Sequence, residues 1–153
     1  MLSGLAVLGG GFLWAVLWMD LLFDVQVLRH PARGGDLPEP VLASIAGYYR
    51  RVTTEASPLG RLVGVVMAVT LASVGAQLAR GVPSRGVALA SLLLAAAPVA
   101  LAVTRVFPNA VRLGARRDPA AVQSALARAI CRDHLGCLAC ILGFLALQLA
   151  GLA

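Results

Sequence analysis

Long charge-free stretches alternate with short polar ones along the chain. A helix rises about 1.5 Å per residue and the hydrocarbon core of a bilayer is about 30 Å thick, so about 20 apolar residues can cross it. Backbone polar groups find no water in lipid, which requires such segments to be helical. The pattern therefore predicts four transmembrane helices, over about residues 2–24, 58–79, 85–106 and 119–152.

Two further patterns lie beside these spans. After Pro40, apolar and aromatic residues form an amphipathic stretch of Val41, Leu42, Ile45, Tyr48, Tyr49 and Val52. They predict an amphipathic helix in loop one that lies either on the membrane surface or as a cap on the helix bundle. In the third span, the sequence Phe107-Pro108-Asn109 predicts the end of the helix, because proline disrupts a helix and asparagine favours a turn.

Composition agrees with a membrane location. The 153 residues are 59% hydrophobic and 13% charged, with a mean hydropathy of +0.86. Soluble domains are closer to about 45–50% apolar and about 25% charged. The composition excludes disordered, collagen-like and soluble enzyme classes. It indicates an all-α polytopic membrane protein, a single domain built as a bundle of four transmembrane helices.

The charges are distributed unevenly between the two ends of this bundle. All 13 basic residues are arginines, and only Arg80 and Arg85 lie outside loops one and three and their flanks. By the positive-inside rule, loops one and three are cytoplasmic and both termini lie outside the cell membrane. The net charge of +6 is interpreted as contact with anionic lipid, and nucleic acid is not expected as a partner. All seven acids share the cytoplasmic end.

Asp20 and Asp24 form the most informative pair in the sequence. They lie four residues apart, so their carboxylates share one face of a helix and repel each other. A positive group between them, or protonation of one of them, would relieve this repulsion. One interpretation is a structural ion network with Arg61, Arg105 and Arg132, which lie at the same level. The alternative is a proton, substrate or metal site, in which Asp20, Asp24 and His134 would hold the metal.

Three other residues at this end are candidates for catalysis. His134 lies at the predicted water–membrane boundary, where an imidazole can shuttle protons. Glu55, at the start of the second span, is a further candidate base beside Asp20 and Asp24, and Asn109 a candidate oxyanion donor. No cofactor motif is visible in the sequence. Cys131, Cys137 and Cys140 are best interpreted as packing residues, with a soft-metal or redox role as the weaker alternative.

Small residues repeat every four positions along the second span. A helix–helix contact in lipid needs small residues that let two backbones approach. The repeat therefore predicts a packing ridge, which could also serve a homo-oligomer. Its members are Gly60, Gly64, Ala68, Ala72 and Ala76.

The order of these features resembles a known membrane family. The segment Pro108-Asn109-Ala110-Val111-Arg112-Leu113 follows the third span, and a polar helix with Asp133-His134 enters the fourth. This arrangement is similar to the anthrone-oxygenase-like proteins, a four-span family whose members mostly have no assigned function. Its named members are fungal enzymes that oxidise an anthrone to an anthraquinone with dioxygen. The resemblance implies a four-helix fold and an oxidation of an aromatic substrate.

Three classes of function follow from the sequence. The first is a small membrane enzyme, such as an oxidoreductase, that acts on an apolar aromatic or lipid-like substrate at the cytoplasmic end of the bundle. The second is a transporter that handles protons or cations with the same acids. The third is a non-catalytic accessory protein whose charges are only structural. The sequence favours the first class, because polar residues converge at one end of the bundle.

Overall fold

The protein is almost entirely helical. The computed structural model describes residues 1–31, 35–55 and 57–152, and no strand occurs among them. Two wider π-helical turns, Arg51–Glu55 and Ala102–Val106, and one 3-10 turn, Val25–Arg29, extend the helices. The helices are α1 Leu2–Asp24, α2 Glu39–Arg50, α3 Ser57–Arg80, α4 Arg85–Leu101, α5 Phe107–Ala115 and α6 Ala120–Ala150.

Four helical segments are long and apolar enough to cross a membrane, as the sequence predicted. They are Leu2–Arg29, Pro58–Arg80, Arg85–Ala115 and Ala120–Ala150. Many of their large apolar side chains point outward, among them Leu8 at 73% exposure and Leu93 at 63%. Such a surface is costly in water and well suited to lipid. The chain is therefore a helical bundle whose four long apolar helices are compatible with an integral membrane protein.

The membrane helices form a ring in the order α1, α3, α4, α6. Helix α1 packs against α3 and α6, and α4 packs against the same two helices. The closest approaches occur at glycines of α1. A Cβ atom on Gly9 would collide with Thr70 Oγ1, and one on Gly10 would lie 2.7 Å from the Phe144 ring. As expected in lipid, glycine brings these helices together where no larger residue fits.

The amphipathic helix predicted in loop one is present as α2, and it caps the bundle. Its buried stripe, Leu42, Ile45, Ala46 and Tyr49, has the spacing of one helix face. This stripe belongs to an apolar core shared with α5 and the first turns of α6. A Cβ atom on Gly114 of α5 would lie 2.8 Å from the backbone nitrogen of Arg50, so α2 and α5 are in backbone contact.

The prediction that the third span ends at Phe107-Pro108-Asn109 is wrong. The chain continues from α4 through the π-helical turn directly into α5, and most of loop three is helical. Pro108 lies in the first turn of α5, where a proline ring and its missing N–H are tolerated. Helix α5 ends at Ala115, and the next residue, Arg116, adopts the left-handed conformation with φ 52°.

Candidate functional site

His134 lies between the two aspartates of α1. Its Nδ1 atom is 2.6 Å from Asp24 Oδ2, and its Nε2 atom is 3.8 Å from Asp20 Oδ2. Helix α1 presents both carboxylates on one face because they are four residues apart, and α6 packs against that face. The structure therefore brings together the three residues Asp20, Asp24 and His134, and the imidazole is the group between the carboxylates.

Two tyrosines of the cap complete the cluster. Tyr48 donates a hydrogen bond of 2.6 Å to Asp20, and Tyr49 donates one of 2.7 Å to Asp24. Burial, and then the neighbouring carboxylates, raise the pKa of both phenols above the ordinary value, so both keep their protons and act as donors. Neither tyrosine was predicted to be a site residue. Tyr49 could have been found from the sequence, because it lies on the apolar stripe of α2, where a buried hydroxyl needs a hydrogen-bond partner.

A cavity of about 790 Å³ opens beside this cluster. Its walls are mostly apolar and come from every helix of the chain. Asp20, Tyr48, Tyr49 and His134 lie in the wall, whereas Asp24 is fully buried and is not part of it. A largely apolar pocket with a few polar groups at one place is the usual form of a small-molecule site.

The cluster has the arrangement of an oriented acid–base pair. Asp24 accepts a hydrogen bond from Tyr49, and when Asp24 is ionised its second oxygen accepts one from His134, which requires the histidine proton on Nδ1. In that tautomer the Nε2 atom carries the lone pair, and it faces Asp20 Oδ2 at 3.8 Å in the wall of the cavity. A carboxylate that fixes the tautomer of an imidazole also stabilises the imidazolium that forms when it takes a proton. His134 can therefore accept a proton from a molecule in the cavity and return it.

Two predicted catalytic residues lie outside this arrangement. Glu55 is half exposed and pairs with Arg50, with 2.9 Å between Oε1 and Nε. Asn109 is partly buried on α5 and is not part of the cavity wall. Both lie at the same end of the molecule as the cluster, but neither lines the cavity. Position in the sequence determines the level of a residue along the bundle and not the direction of its side chain.

The arginines do not pair with Asp20 and Asp24, so the ion network proposed from the sequence is corrected. Arg105 lies 3.2 Å from Asp133 Oδ2, and Arg132 lies 3.7 Å from Oδ1 of the same carboxylate. Asp133 is therefore the centre of that network. Arg61 makes no ion pair within the described residues and lies in the cavity wall.

Gly60 and Gly64 do not form the predicted packing contact. A Cβ atom on either glycine would meet no atom within 4 Å, and both line the cavity. The first half of α3 is largely exposed, while Thr70, Ser73, Val74 and Gln77 in its second half are buried. The small residues near the start of α3 therefore leave room in the cavity. A homo-oligomer through the ridge from Gly60 to Ala76 stays a prediction.

The geometry favours proton transfer over metal binding at the cluster. Among the residues that the structure describes, no group of three or more His, Cys, Asp or Glu side chains is arranged to hold a metal ion. The direct contact between His134 Nδ1 and Asp24 leaves no room for an ion between those two atoms. Cys137 lies in the cavity wall, and Cys131 of α6 is buried in the apolar core that α6 shares with the cap.

A second buried polar cluster lies at the opposite end of the bundle, where no polar site was predicted from the sequence. Gln77 and Gln148 exchange two hydrogen bonds, of 2.9 and 3.0 Å. Gln148 also donates to Ser91 at 3.0 Å, and Gln77 donates to Ser3 at 3.3 Å. This amide cluster links all four membrane helices. It was missed because each glutamine is neutral and sits singly in an apolar run.

Comparison with known proteins gives no relative. No protein-family model, no curated protein and no solved structure matches the chain.

Proposed function

We propose that the protein is a small membrane enzyme that moves a proton on an apolar substrate held in the cavity. His134 acts as the base, Asp24 orients it, and Asp20 with Tyr48 forms the second polar contact for the substrate. One observation carries this proposal: an imidazole held between two carboxylates lies in the wall of a cavity that is otherwise mostly apolar.

The cavity favours an aromatic or lipid-like substrate. Its walls include Phe12, Val16, Met67, Val99 and Ile141, which exclude water and offer dispersion contacts. A molecule dissolved in lipid would need no hydrophilic channel to reach it. Asp20, Tyr48, Tyr49 and His134 lie together in one part of the wall, so a bound molecule would present a single reacting position to His134.

The resemblance to anthrone oxygenases supplies a specific case. Removal of a proton from the methylene carbon of an anthrone gives a carbanion stabilised by the adjacent ring system. Reaction with dioxygen then converts the methylene to a carbonyl: the carbon loses both hydrogens and gains one oxygen atom, and the second oxygen atom leaves as water. In this reaction His134 would take the first proton, and dioxygen is the oxidant.

We also propose the orientation of the protein in the cell membrane. The cluster and the cap lie at the arginine-rich end, which the positive-inside rule assigns to the cytoplasm, with both termini outside. The amide cluster, near Arg80 and Arg85, would then face the outside. Labelling of single introduced cysteines in intact cells tests this arrangement.

Isotope exchange tests the proton transfer directly. The purified protein is placed in lipid nanodiscs in deuterated water with anthrone under argon, and deuterium at the methylene carbon is measured by mass spectrometry. Admission of oxygen then tests the oxidation by absorbance of the anthraquinone and by oxygen uptake. A general base typically contributes about 10²–10⁴-fold, so His134→Gln should lose at least about 100-fold of the exchange rate.

The other histidine provides the matched control. His30 lies at the end of the 3-10 turn after α1, outside the cavity wall, and His30→Gln should exchange at the wild-type rate. Equal rates in wild type and His134→Gln would refute the proposal. A proton flux across sealed vesicles that depends on Asp20, without exchange on any carbon acid, would favour the transporter instead.

A further inference from the structure

We propose that the ligand of the cavity is an apolar molecule with one anionic oxygen group, and that Arg61 binds this group. This inference rests on the proposed function for the location of the site and adds the chemical class of the molecule. It also assigns Arg61, which the sequence placed in a structural ion network, to ligand recognition.

Arg61 is the permanent positive charge of the cavity. Within the described part of the chain, no other arginine lies in the cavity wall. Five arginines elsewhere in the described residues form ion pairs with carboxylates. The pairs are Arg50 with Glu55, Arg105 and Arg132 with Asp133, Arg112 with Asp118, and Arg116 with Glu39. Arg61 has no such contact among the described residues, although Asp20 lines the same cavity.

Asp20 does not serve as the missing partner. Its carboxylate accepts a hydrogen bond from Tyr48 and faces His134. Within the described part of the chain, no side-chain nitrogen of Arg61 lies within 4.0 Å of a carboxylate oxygen of Asp20. A guanidinium beside apolar walls gains most from a charged oxygen that it can bind with two N–H groups.

The space beside Arg61 fits such a ligand. Gly60 and Gly64 flank it on α3, and added Cβ atoms there would meet nothing within 4 Å. Leu59 and Val63 also line the cavity beside Arg61. The first turns of α3 thus combine one cation, open volume and apolar walls. A carboxylate or similar head group would bind Arg61, and the apolar body would lie along α3 toward His134.

Binding of a fluorescent probe tests this without turnover. Pyrene-butyric acid and its methyl ester share one apolar body and differ in the negative charge. Energy transfer to pyrene from Trp14 and Trp18, the two tryptophans of the chain, reports binding in nanodiscs. Because the charge-assisted hydrogen bond to the anionic oxygen is lost, Arg61→Gln should weaken binding of the acid at least about tenfold and leave binding of the ester unchanged.

Matched variants separate the charge from the volume. Arg51→Gln removes another exposed arginine of the same end, outside the cavity wall, and should change neither affinity. Gly64→Leu fills the cavity and should weaken both probes, whereas Gly75→Leu, on the same helix but outside the wall, should weaken neither.

The outcomes also separate this inference from the proposed function. His134→Gln should retain tight binding of the acid, because binding requires no proton transfer to the imidazole. Arg61-dependent binding of the acid without any isotope exchange would support the inference and refute the enzyme. An equal loss of both probes in Arg61→Gln, no loss at all, or no binding to the wild type would overturn the inference, whatever the exchange experiment gives.

Discussion

The two ends of the bundle each contain a buried polar cluster, and the clusters differ in one respect. At one end, Gln77 and Gln148 bond to each other twice, and neither lies in the cavity wall. At the other end, Asp24 is equally buried, but its partner His134 reaches the cavity. The two glutamines of the amide cluster do not border the cavity, whereas His134 of the ionisable cluster does.

This difference separates a structural role from a chemical one. A satisfied pair of neutral amides fixes the register of helices and offers nothing to a bound molecule. Ionisable groups within a membrane protein are costly and are rare unless they are paired or functional. Here the ionisable groups are paired and also border a cavity. The following predictions test whether the two clusters really differ in this way.

The largest effect is expected at Asp24. Asp24→Asn keeps the shape of the side chain but removes the charge that stabilises the imidazolium and the acceptor that holds the proton on Nδ1. We expect the exchange rate with anthrone to fall at least about 100-fold. Circular dichroism should show unchanged helix content. An exchange rate equal to that of the wild type would show that the ionisable cluster, like the amide cluster, has only a structural role.

The contact between the cap and α5 should have the next largest effect. In Gly114→Ala, the new Cβ would lie 2.8 Å from Arg50 N and 3.0 Å from Arg50 Cα, so α2 and α5 must separate. Overpacking of this kind costs about 1–3 kcal/mol. Thermal unfolding in detergent should show the loss, and activity should fall because α2 carries Tyr48 and Tyr49. Gly47→Ala, on the open side of α2, should do neither.

The amide cluster should affect stability alone. Gln77→Leu leaves the Gln148 amide without its main partner, and the expected cost is about 1 kcal/mol in unfolding free energy. The double variant Gln77→Leu/Gln148→Leu removes both partners and should recover part of that loss. Exchange activity should stay at the wild-type value in both variants, and a large loss of activity would contradict the separation of the two clusters.

The smallest effect is expected for the exposed ion pair between Arg112 of α5 and Asp118, which lies between α5 and α6. Two hydrogen bonds of 2.8 Å from Arg112 lower the pKa of Asp118 below its ordinary 3.8. A lowered carboxyl pKa stabilises the fold above the ordinary value, and this contribution disappears as the pH falls through the lowered one. Asp118→Asn should therefore unfold at a slightly lower temperature than wild type at pH 7, and the gap should close in acid. A constant gap would exclude this cause.

Several features of the site could be predicted from residues four apart on α1. Asp20 and Asp24 had to share a face, their repulsion required a neighbour that relieves it, and His134 was at the right level on α6. The choice of His134 over an arginine could not be predicted. It depends on the rotation of α6 about its own axis, which turns His134 toward α1 and the neighbouring Asp133 toward Arg105.

The sequence by itself determined the four membrane helices and the amphipathic α2, because hydropathy and helical periodicity are local properties of the chain. Only the tertiary structure decided that Tyr48 and Tyr49 reach the aspartates, that Gly60 and Gly64 line a cavity, and that Gln77 meets Gln148. These are contacts between distant segments, and they depend on how the helices rotate and tilt against one another. A repeat of small residues permits a close contact or an empty space, and packing alone selects between them.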